Sequence, residues 1–317
     1  MDDTLSDTLI HIKSALQELK NKQGFITRFA PSPTGYLHLG HVFHLSLLHL
    51  LTDNFCEQII FRIEDHDQSR ARGQYLQALV EDTTALGFGP FLLTTQQSNH
   101  FDRYQKVFED LKEQNLVYPC TCTRRDLMRR FQESKLKYSP GEYDGYCRKN
   151  PVSTCDSPVT WRLKSTNKKF KWHDLMQGNQ SGFVRPYYDD FAVRDRDGQW
   201  TYQFAVVVDD SVENIEVIIR GEDLLASTAR QSYLRSLLDK REMPLLCHHN
   251  LLVDEAGKKL SKRSLAASVK EMLNQGAKPT QVIADAARAA KIIDRSHLSL
   301  QDLKEFLRSN KSEKFLK

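Results

Sequence analysis

The segment PSPTGYLHLGHVFH, residues Pro31 to His44, places a proline-containing turn directly before a run with helical periodicity. Such a turn directs backbone N–H groups and the positive end of the helix dipole toward whatever lies above it, and phosphate is a common occupant. His38 and His41 could donate hydrogen bonds to a phosphate whose charge grows in a transition state, while Gly40 leaves space for a flat ring. Histidines at helix starts also act as caps or core residues, and two histidines without a nearby third ligand are a weak zinc site.

The segments around this stretch predict a parallel sheet. A short extended segment, GFITRFAPSP (24–33), precedes the helical segment LHLGHVFHLSLLHLL (37–51), and a compact apolar run, QIIFRIED (58–65), follows it. The order strand, helix, strand indicates a parallel βαβ unit. We expect two further strands, each ending in acidic residues where the ligands of a parallel sheet collect, in TYQFAVVVDD (201–210) and IEVIIRGED (215–223).

Helices are predicted at both ends of the chain. Over residues 1–22, apolar side chains recur at four- and three-residue steps, at Leu5, Leu9, Ile12, Leu16 and Leu19. This spacing places them on one helix face and favours core packing over a dimerisation seam. No functional role follows from this helix. After residue 264 the chain turns to short helical segments and a lysine-rich tail.

Composition is typical of a globular enzyme or binding protein. The 317 residues include 40% hydrophobic and 27% charged side chains, with a net charge of +4. No apolar run is long enough to span a bilayer, and the acidic N-terminus lacks the basic region of a signal peptide, so we expect a cytoplasmic protein without membrane contact. Six cysteines do not suggest a disulfide scaffold.

A second candidate phosphate-binding element is DEAGKKLSKRS, residues 254–264. Lys258, Lys259 and Lys262 surround Ser261 in a glycine-containing loop, which can deliver mobile ammonium groups to a triphosphate. Taken alone, this string is more typical of a basic surface loop.

Together, the two elements resemble the signatures of class I aminoacyl-tRNA synthetases. PSPTGYLHLGH resembles their HIGH-type motif, and the segment from Lys259 to Arg263 resembles their KMSKS-type loop, in the family's order. The blocks RFAPSPTG, FRIED, TYQFAVVVDD, VIIRGEDLLASTARQ and GKKLSKR are similar to the glutamate-specific pattern from about residue 25 to 265. Ala229 stands where that pattern has proline.

The resemblance implies an α/β fold, a Rossmann-like parallel-sheet catalytic domain with a zinc-knuckle insertion and a short C-terminal helical region. It also implies attack of the glutamate carboxylate on the α-phosphate of ATP, with Mg²⁺ assisting. The implied catalytic residues are His38, His41 and Lys262. The implied ATP-binding residues are His38, Gly40, His41, Lys259, Ser261 and Lys262.

The implied L-glutamate site contains Arg28, Ala30, Ser32, Glu64, Tyr202 and Arg220. The arginines match positions that hold substrate carboxylates, for which a guanidinium is well suited. Glu64 matches the partner of the substrate ammonium group. The alternative for Arg220 is an ordinary ion pair with Glu222 or Asp223 at the strand end.

The insertion carries a candidate metal site. Cys120 and Cys122, followed by Tyr143 and Cys147, offer three thiolates and a phenol at a spacing compatible with a tetrahedral zinc knuckle. Chemistry alone favours a histidine or fourth cysteine over tyrosine, but the arrangement resembles glutamyl-Q tRNA(Asp) synthetases, with Tyr146 as the alternative ligand. The resemblance implies structural zinc; the other interpretation is three reduced, buried cysteines.

The predicted organisation is an N-terminal helical extension (1–24), two catalytic-domain halves (25–118 and 149–263), the zinc insertion (119–148) and a C-terminal helical region (264–317). That last region is shorter than the anticodon-binding domain expected of a full glutamyl-tRNA synthetase. The resemblance therefore implies transfer of glutamate to queuosine in tRNA(Asp). The alternatives are a minimal glutamyl-tRNA synthetase charging tRNA(Glu) and a catalytically silent RNA-binding paralogue.

Overall fold

Two sheets lie edge to edge at the centre of the computed structural model. It describes residues 4–19, 22, 24–52, 58–135, 142–152, 158–239, 241–252 and 267–308. The first sheet is parallel, in the order β1-β2-β3, and consists of β1 (Thr27–Phe29), β2 (Ile59–Ile63) and β3 (Leu93–Gln96). The second has the order β7-β6-β10-β9 and consists of β6 (Lys168–Asp174), β7 (Gly178–Val184), β9 (Val217–Gly221) and β10 (Leu245–His249). The predicted parallel βαβ unit is confirmed.

The two sheets join between β1 and β9. The backbone carbonyl of Ile26 accepts hydrogen bonds from the amides of Glu216 (2.9 Å) and Val217 (3.3 Å), so β9 starts beside β1. The combined strand order is β3-β2-β1-β9-β10-β6-β7. After β1 the chain continues to β2 on one side of it, and β9, on the other side, comes later in the chain. Ligands of open α/β sheets bind at such a switch point, outside the carboxyl ends of the strands.

Helices cover both faces of this sheet. The helices of the described residues, including α5 and α6 of the cysteine-containing insertion, are α1 (Thr4–Leu19), α2 (Leu39–Leu51), α3 (Gly73–Ala85), α4 (Phe101–Glu113), α5 (Arg124–Glu133), α6 (Tyr146–Lys149), α7 (Tyr202–Val212), α8 (Thr228–Leu238), α9 (Val269–Asn274), α10 (Pro279–Ala289) and α11 (Leu300–Arg308). Short 3-10 helices span Gln97–His100 and Glu222–Ser227. No helix among the described residues has the length and apolar character needed to cross a membrane.

The N-terminal helix belongs to the main core. Ile12, Ala15 and Leu19 of α1 are buried in the cluster that also contains apolar residues of α2, α10 and α11. The predicted apolar face therefore packs against the domain, as the periodicity indicated. The C-terminal helices predicted after residue 264 are also present, and they complete the same cluster.

The prediction of a strand over residues 201–210 was wrong, because this segment forms most of α7. Residues 204–208 are all buried, so the helix lacks the polar face that produces a 3.6-residue period. A short, continuously apolar run is compatible with a buried strand or a buried helix, and its three valines favoured the strand. The other predicted segment, residues 215–223, does contain strand β9.

A third sheet supports the cysteine-containing insertion. It is antiparallel, in the order β4-β5-β8, and consists of β4 (Val117–Cys120), β5 (Thr160–Leu163) and β8 (Ala192–Arg194). The helix α5 begins with a reciprocal cap, in which Thr123 and Asp126 each accept a hydrogen bond from the other's backbone amide. Cys120 is the last residue of β4, and the capped helix α5 begins at Arg124, so regular elements flank the segment that contains Cys120 and Cys122.

Candidate active site

A pocket of about 480 Å³ opens at the switch point between β1 and β9. All nine described residues that were predicted to bind glutamate or ATP line it: Arg28, Ala30, Ser32, His38, Gly40, His41, Glu64, Tyr202 and Arg220. The two arginines come from the two strands that meet at the switch point, and Glu64 directly follows the neighbouring strand β2. The topology therefore explains why residues so far apart in the chain share one cavity.

The start of α2 fixes both signature histidines. The amide of Gly40 donates to Nδ1 of His38 (3.1 Å), and the amide of His38 donates to Nδ1 of His41 (3.2 Å). Because each Nδ1 accepts a hydrogen bond, the proton of each neutral ring lies on Nε2. Capping thus gives both rings an Nε2–H donor. The predicted capping and phosphate-binding roles of these histidines are compatible.

Gly40 is required by the same cap. A Cβ atom at this position would lie 2.9 Å from Cε1 and 3.0 Å from Nδ1 of His38. The ring occupies the volume where a side chain would be, so any other residue here would displace the cap. Gly40 is therefore explained by the folded-back ring of His38, in addition to any bound ligand.

A buried ion network lies behind the pocket. Arg28 donates through Nε to Asp210 (3.1 Å) and through Nη1 to the carbonyl of Ile219 (3.0 Å). Arg62, which is fully buried, donates to Asp210 (2.7 Å) and Glu213 (2.8 Å). Asp210 on α7 and Glu213 directly after this helix thereby hold both guanidinium groups and offset part of their charge.

Glu64 is the least compensated acid of this network. Its carboxylate lies 3.5 Å from Nη2 of Arg62, whose shorter contacts are made with Asp210 and Glu213. Burial outweighs the attraction of Arg62 and Arg28 and raises the pKa of Glu64 to about 7. Such a carboxyl group is poised to become ionised when a cation enters the pocket.

Arg220 is held differently, by neutral groups. Its Nε donates to His248 (2.8 Å), Nη2 donates to Thr228 (3.0 Å), and Nη1 donates to Gln231. The described partners of Arg220 are thus neutral acceptors, and not Glu222 or Asp223, which were the partners in the alternative prediction. The nearby Tyr202 is also desolvated, and burial raises its pKa to about 12. Ala229, the departure from the expected proline, is the second residue of α8.

The KMSKS-type loop lies outside the described residues, together with Lys258, Lys259, Ser261 and Lys262. The segment that leads into it does line the pocket, through His249, Leu251 and Leu252. His249 Nε2 lies 3.0 Å from Nδ1 of His44 on α2. This contact joins the strand before the loop to the helix that carries His38 and His41.

The predicted metal ligands form a separate cluster. The sulfur atoms of Cys120, Cys122 and Cys147 all lie within 4.8 Å of one another. The hydroxyl of Tyr143 is 3.4 Å from the Cys120 sulfur and 3.8 Å from the Cys122 sulfur. Tyr143 is fully buried, whereas the alternative ligand Tyr146 is 46% exposed. The structure therefore brings Tyr143, and not Tyr146, to the three thiols.

The donor set fits a tetrahedral ion. Thiolates bound to zinc at about 2.3 Å are separated by about 3.8 Å, and the Cys122 and Cys147 sulfurs are 3.3 Å apart. Two cations adjoin the cluster: Arg130 donates to the Cys122 sulfur (3.2 Å), and Arg162 lies 4.0 Å from the centre of the Tyr143 ring. These guanidinium groups would offset the negative charge of three thiolates around a divalent ion.

Sequence reasoning missed the residues that hold the predicted ones. The side chain of Arg220 donates hydrogen bonds to His248, Thr228 and Gln231, and His248 in turn contacts Asp174. Arg28 donates to Asp210. The only sequence signal for Asp210 was an acidic pair at the end of an apolar run, and the wrong strand prediction concealed its position on a helix.

The comparison with protein families defines the class. Residues 25–315 match the model described as tRNA synthetases class I (E and Q), catalytic domain. The chain therefore belongs to the class I aminoacyl-tRNA synthetases, a family of ligases. The predicted fold class is confirmed for the α/β parallel-sheet catalytic domain.

Three individual proteins show how similar the chain is to known sequences and structures. The chain is 34% identical over 269 residues to the glutamyl-Q tRNA(Asp) synthetase of Nocardia farcinica, covering 81% of this chain and 82% of that protein. It is 36% identical over 253 residues to the glutamate–tRNA ligase of Magnetococcus marinus, covering 79% of this chain and 53% of that protein. The crystal structure of glutamate-tRNA synthetase from Elizabethkingia anophelis shares the fold, with a TM-score of 0.71 at 22% identity over 89% of this chain and 65% of that one.

Proposed function

We propose that this protein activates L-glutamate with ATP and transfers the glutamate to queuosine at the first anticodon position of tRNA(Asp). One observation supports the activation step: Arg28, Arg220 and Glu64 line the same pocket as His38 and His41. Glutamate has two carboxylates and one ammonium group, so two arginines and one carboxylate match its charges group by group.

In the first step, a carboxylate oxygen of glutamate bonds to the α-phosphorus of ATP while the bond from that phosphorus to pyrophosphate breaks. The products are glutamyl-adenylate and pyrophosphate. The Nε2–H groups of His38 and His41 donate to the phosphate oxygens as their charge grows. Lys262, with Lys259 and Ser261, binds the leaving pyrophosphate, and the Mg²⁺ that accompanies ATP would supply further positive charge at the phosphates.

Arg220 gives the pocket its preference for an acidic side chain. Its described side-chain partners are neutral, so its positive charge is left for a ligand, whereas Arg28 shares the carboxylate of Asp210 with Arg62 and has only part of its charge offset. Glutamine presents an amide in place of one carboxylate and would leave this buried charge uncompensated. We therefore expect glutamine to be activated much less efficiently than glutamate.

Activation is tested by glutamate-dependent exchange of pyrophosphate into ATP, first without tRNA. Wild-type protein should show exchange with glutamate, and R220Q should raise the KM for glutamate by about 100-fold or more because a charge-assisted pair is lost. R288Q, on the exposed face of α10, is the matched control and should behave as wild type. Absence of wild-type exchange both without tRNA and with each tRNA below would favour the silent paralogue.

The choice of acceptor rests on the named relatives. The proposed queuosine acceptor is supported by the match to a glutamyl-Q tRNA(Asp) synthetase over most of that protein's length. The second candidate, charging of tRNA(Glu), is supported by the 36% identity to a glutamate–tRNA ligase. The test compares attachment of labelled glutamate to queuosine-containing tRNA(Asp), queuosine-free tRNA(Asp) and tRNA(Glu). Labelling of the first alone supports the proposal, and labelling of tRNA(Glu) alone overturns it.

The cysteine cluster is proposed to hold one structural zinc ion through Cys120, Cys122, Tyr143 and Cys147. Its sulfur geometry and the adjoining guanidinium groups of Arg130 and Arg162 support this proposal. When bound, the ion would crosslink β4 to the segment that enters α6. Elemental analysis should find close to one zinc per chain, and a metal-free preparation with unchanged thermal stability would contradict the structural role.

A further inference from the structure

Arg220 is the end of a buried chain of three side chains. Asp174 ends β6, His248 lies on β10, and Arg220 lies on β9 directly opposite His248 in the parallel register. Nδ1 of His248 is 2.5 Å from Oδ2 of Asp174, and Nε2 of His248 accepts from Nε of Arg220 at 2.8 Å. All three side chains are buried, and Asp174 and His248 are fully so.

We infer that Asp174 and His248 are positioning residues that orient Arg220 toward the glutamate carboxylate by holding His248 in one neutral tautomer. The inference rests on the proposed function. Arg220 can only donate, so Nε2 of His248 must be an acceptor and the ring proton must lie on Nδ1. That proton faces a carboxylate, which accepts it.

The three holding contacts also define where the ligand binds. A guanidinium has five N–H groups, and His248, Thr228 and Gln231 together accept three of them, one from each nitrogen of Arg220. One N–H remains on each terminal nitrogen. Two such donors suit the two oxygens of a carboxylate, and the three described contacts leave both available to a ligand.

Asp174 is itself fixed in orientation. Its Oδ1 accepts the backbone amides of His248 (3.0 Å), Met176 (3.1 Å) and Gln177 (3.0 Å), so Oδ2 is the atom left for the imidazole. In D174N, the amide oxygen must stay on the three backbone donors, and the NH₂ group must face Nδ1. His248 would then carry its proton on Nε2, pointing a donor at the Nε–H of Arg220.

The test uses four variants in the pyrophosphate-exchange assay and in calorimetric titration with glutamate. D174N should raise the KM and the dissociation constant for glutamate by about 10- to 100-fold, the effect of disrupting a hydrogen bond to a charged group. The KM for ATP should change less than about threefold, since the change is confined to the glutamate side. Thermal unfolding confirms that each variant is folded.

Two substitutions of His248 separate positioning from packing. H248Q can offer an amide oxygen to Arg220 and an NH₂ group to Asp174, so it should retain glutamate affinity within about threefold. H248L fills similar volume without either group and should lose affinity as D174N does. H173L, at an exposed position next to Asp174 on strand β6, is the matched control and should leave glutamate affinity unchanged.

Three results would overturn the inference. The first is wild-type glutamate affinity in folded D174N, the second is equal affinity in H248Q and H248L, and the third is a parallel rise in the KM for ATP. If the wild-type chain itself neither binds nor activates glutamate, the proposed function fails first and the inference fails with it. If wild type activates glutamate and the variants bind it equally well, only the positioning role is refuted and the proposed function stands.

Discussion

Replacing Glu64 by glutamine is expected to stabilise the protein while weakening glutamate binding. Glu64 is buried, with 5% of its surface exposed, and its pKa rises from 4.5 to about 7 on folding. Burial thus penalises its ionised form more than the neighbouring arginines favour it. The difference of about 2.5 pH units corresponds to about 3 kcal/mol of folding free energy when Glu64 is ionised.

The sign of this effect fixes its pH dependence. Because the pKa of Glu64 is higher in the folded state, its contribution to the free energy of unfolding is fully present below pH 4.5. This contribution is lost as the pH rises to about 7 and stays lost above that. E64Q cannot ionise and avoids the loss. Urea unfolding at pH 8 should therefore show E64Q to be more stable by up to about 3 kcal/mol, with little difference near pH 4.5.

Ligand affinity should change in the opposite direction. In the proposed site, the ammonium group of glutamate pairs with ionised Glu64, so wild-type affinity should increase from pH 6 to pH 8, and E64Q should bind weakly without this increase. Calorimetric titration with glutamate from pH 6 to pH 8 measures the affinities of both wild type and E64Q. E109Q, at an exposed position on α4, is the control and should alter stability by less than about 0.5 kcal/mol. An E64Q protein that is less stable than wild type at pH 8 would refute the reasoning.

Three further changes test other parts of the molecule. R62M should cost about 3–5 kcal/mol in urea unfolding at neutral pH because Asp210 and Glu213 lose their buried partner, and a loss below 1 kcal/mol would contradict the network. C147S should bind well under one zinc per chain by elemental analysis and melt at lower temperature; full zinc content would exclude Cys147 as a ligand. I12A should cost about 2–4 kcal/mol in urea unfolding, and an unaffected stability would show that α1 contributes little to the core.

The sequence predicted best the elements whose pattern is local. The helix after Pro33 and the strands on either side of it combine clear periodicity with turn residues, and all three are confirmed. The run Phe204 to Val208 was misassigned because burial on every side removes the polar positions that mark helical period. Local pattern thus failed where tertiary packing alone determined the element.

For the candidate site, the resemblance located the residues that line the pocket but not those behind it. The resemblance implied roles for Arg28 and Arg220, but it did not pair them with Asp210 and His248, which are 182 and 28 residues away along the chain, respectively. Such long-range pairs leave no spacing pattern in a single sequence. The different charge environments of the two arginines, on which the proposed selectivity rests, are visible only in the fold.

The in-register placement of Arg220 beside His248 limits how this cavity can be re-engineered for an uncharged amino acid. Removing the arginine alone would leave the Nε2 lone pair of His248 and the side-chain oxygens of Thr228 and Gln231 without their donor, with a buried acid still bonded to the other side of the imidazole. A designer would have to exchange Asp174, His248 and Arg220, which lie on three adjacent strands, in one step. Stepwise selection for a new substrate is expected to stall at the first exchange.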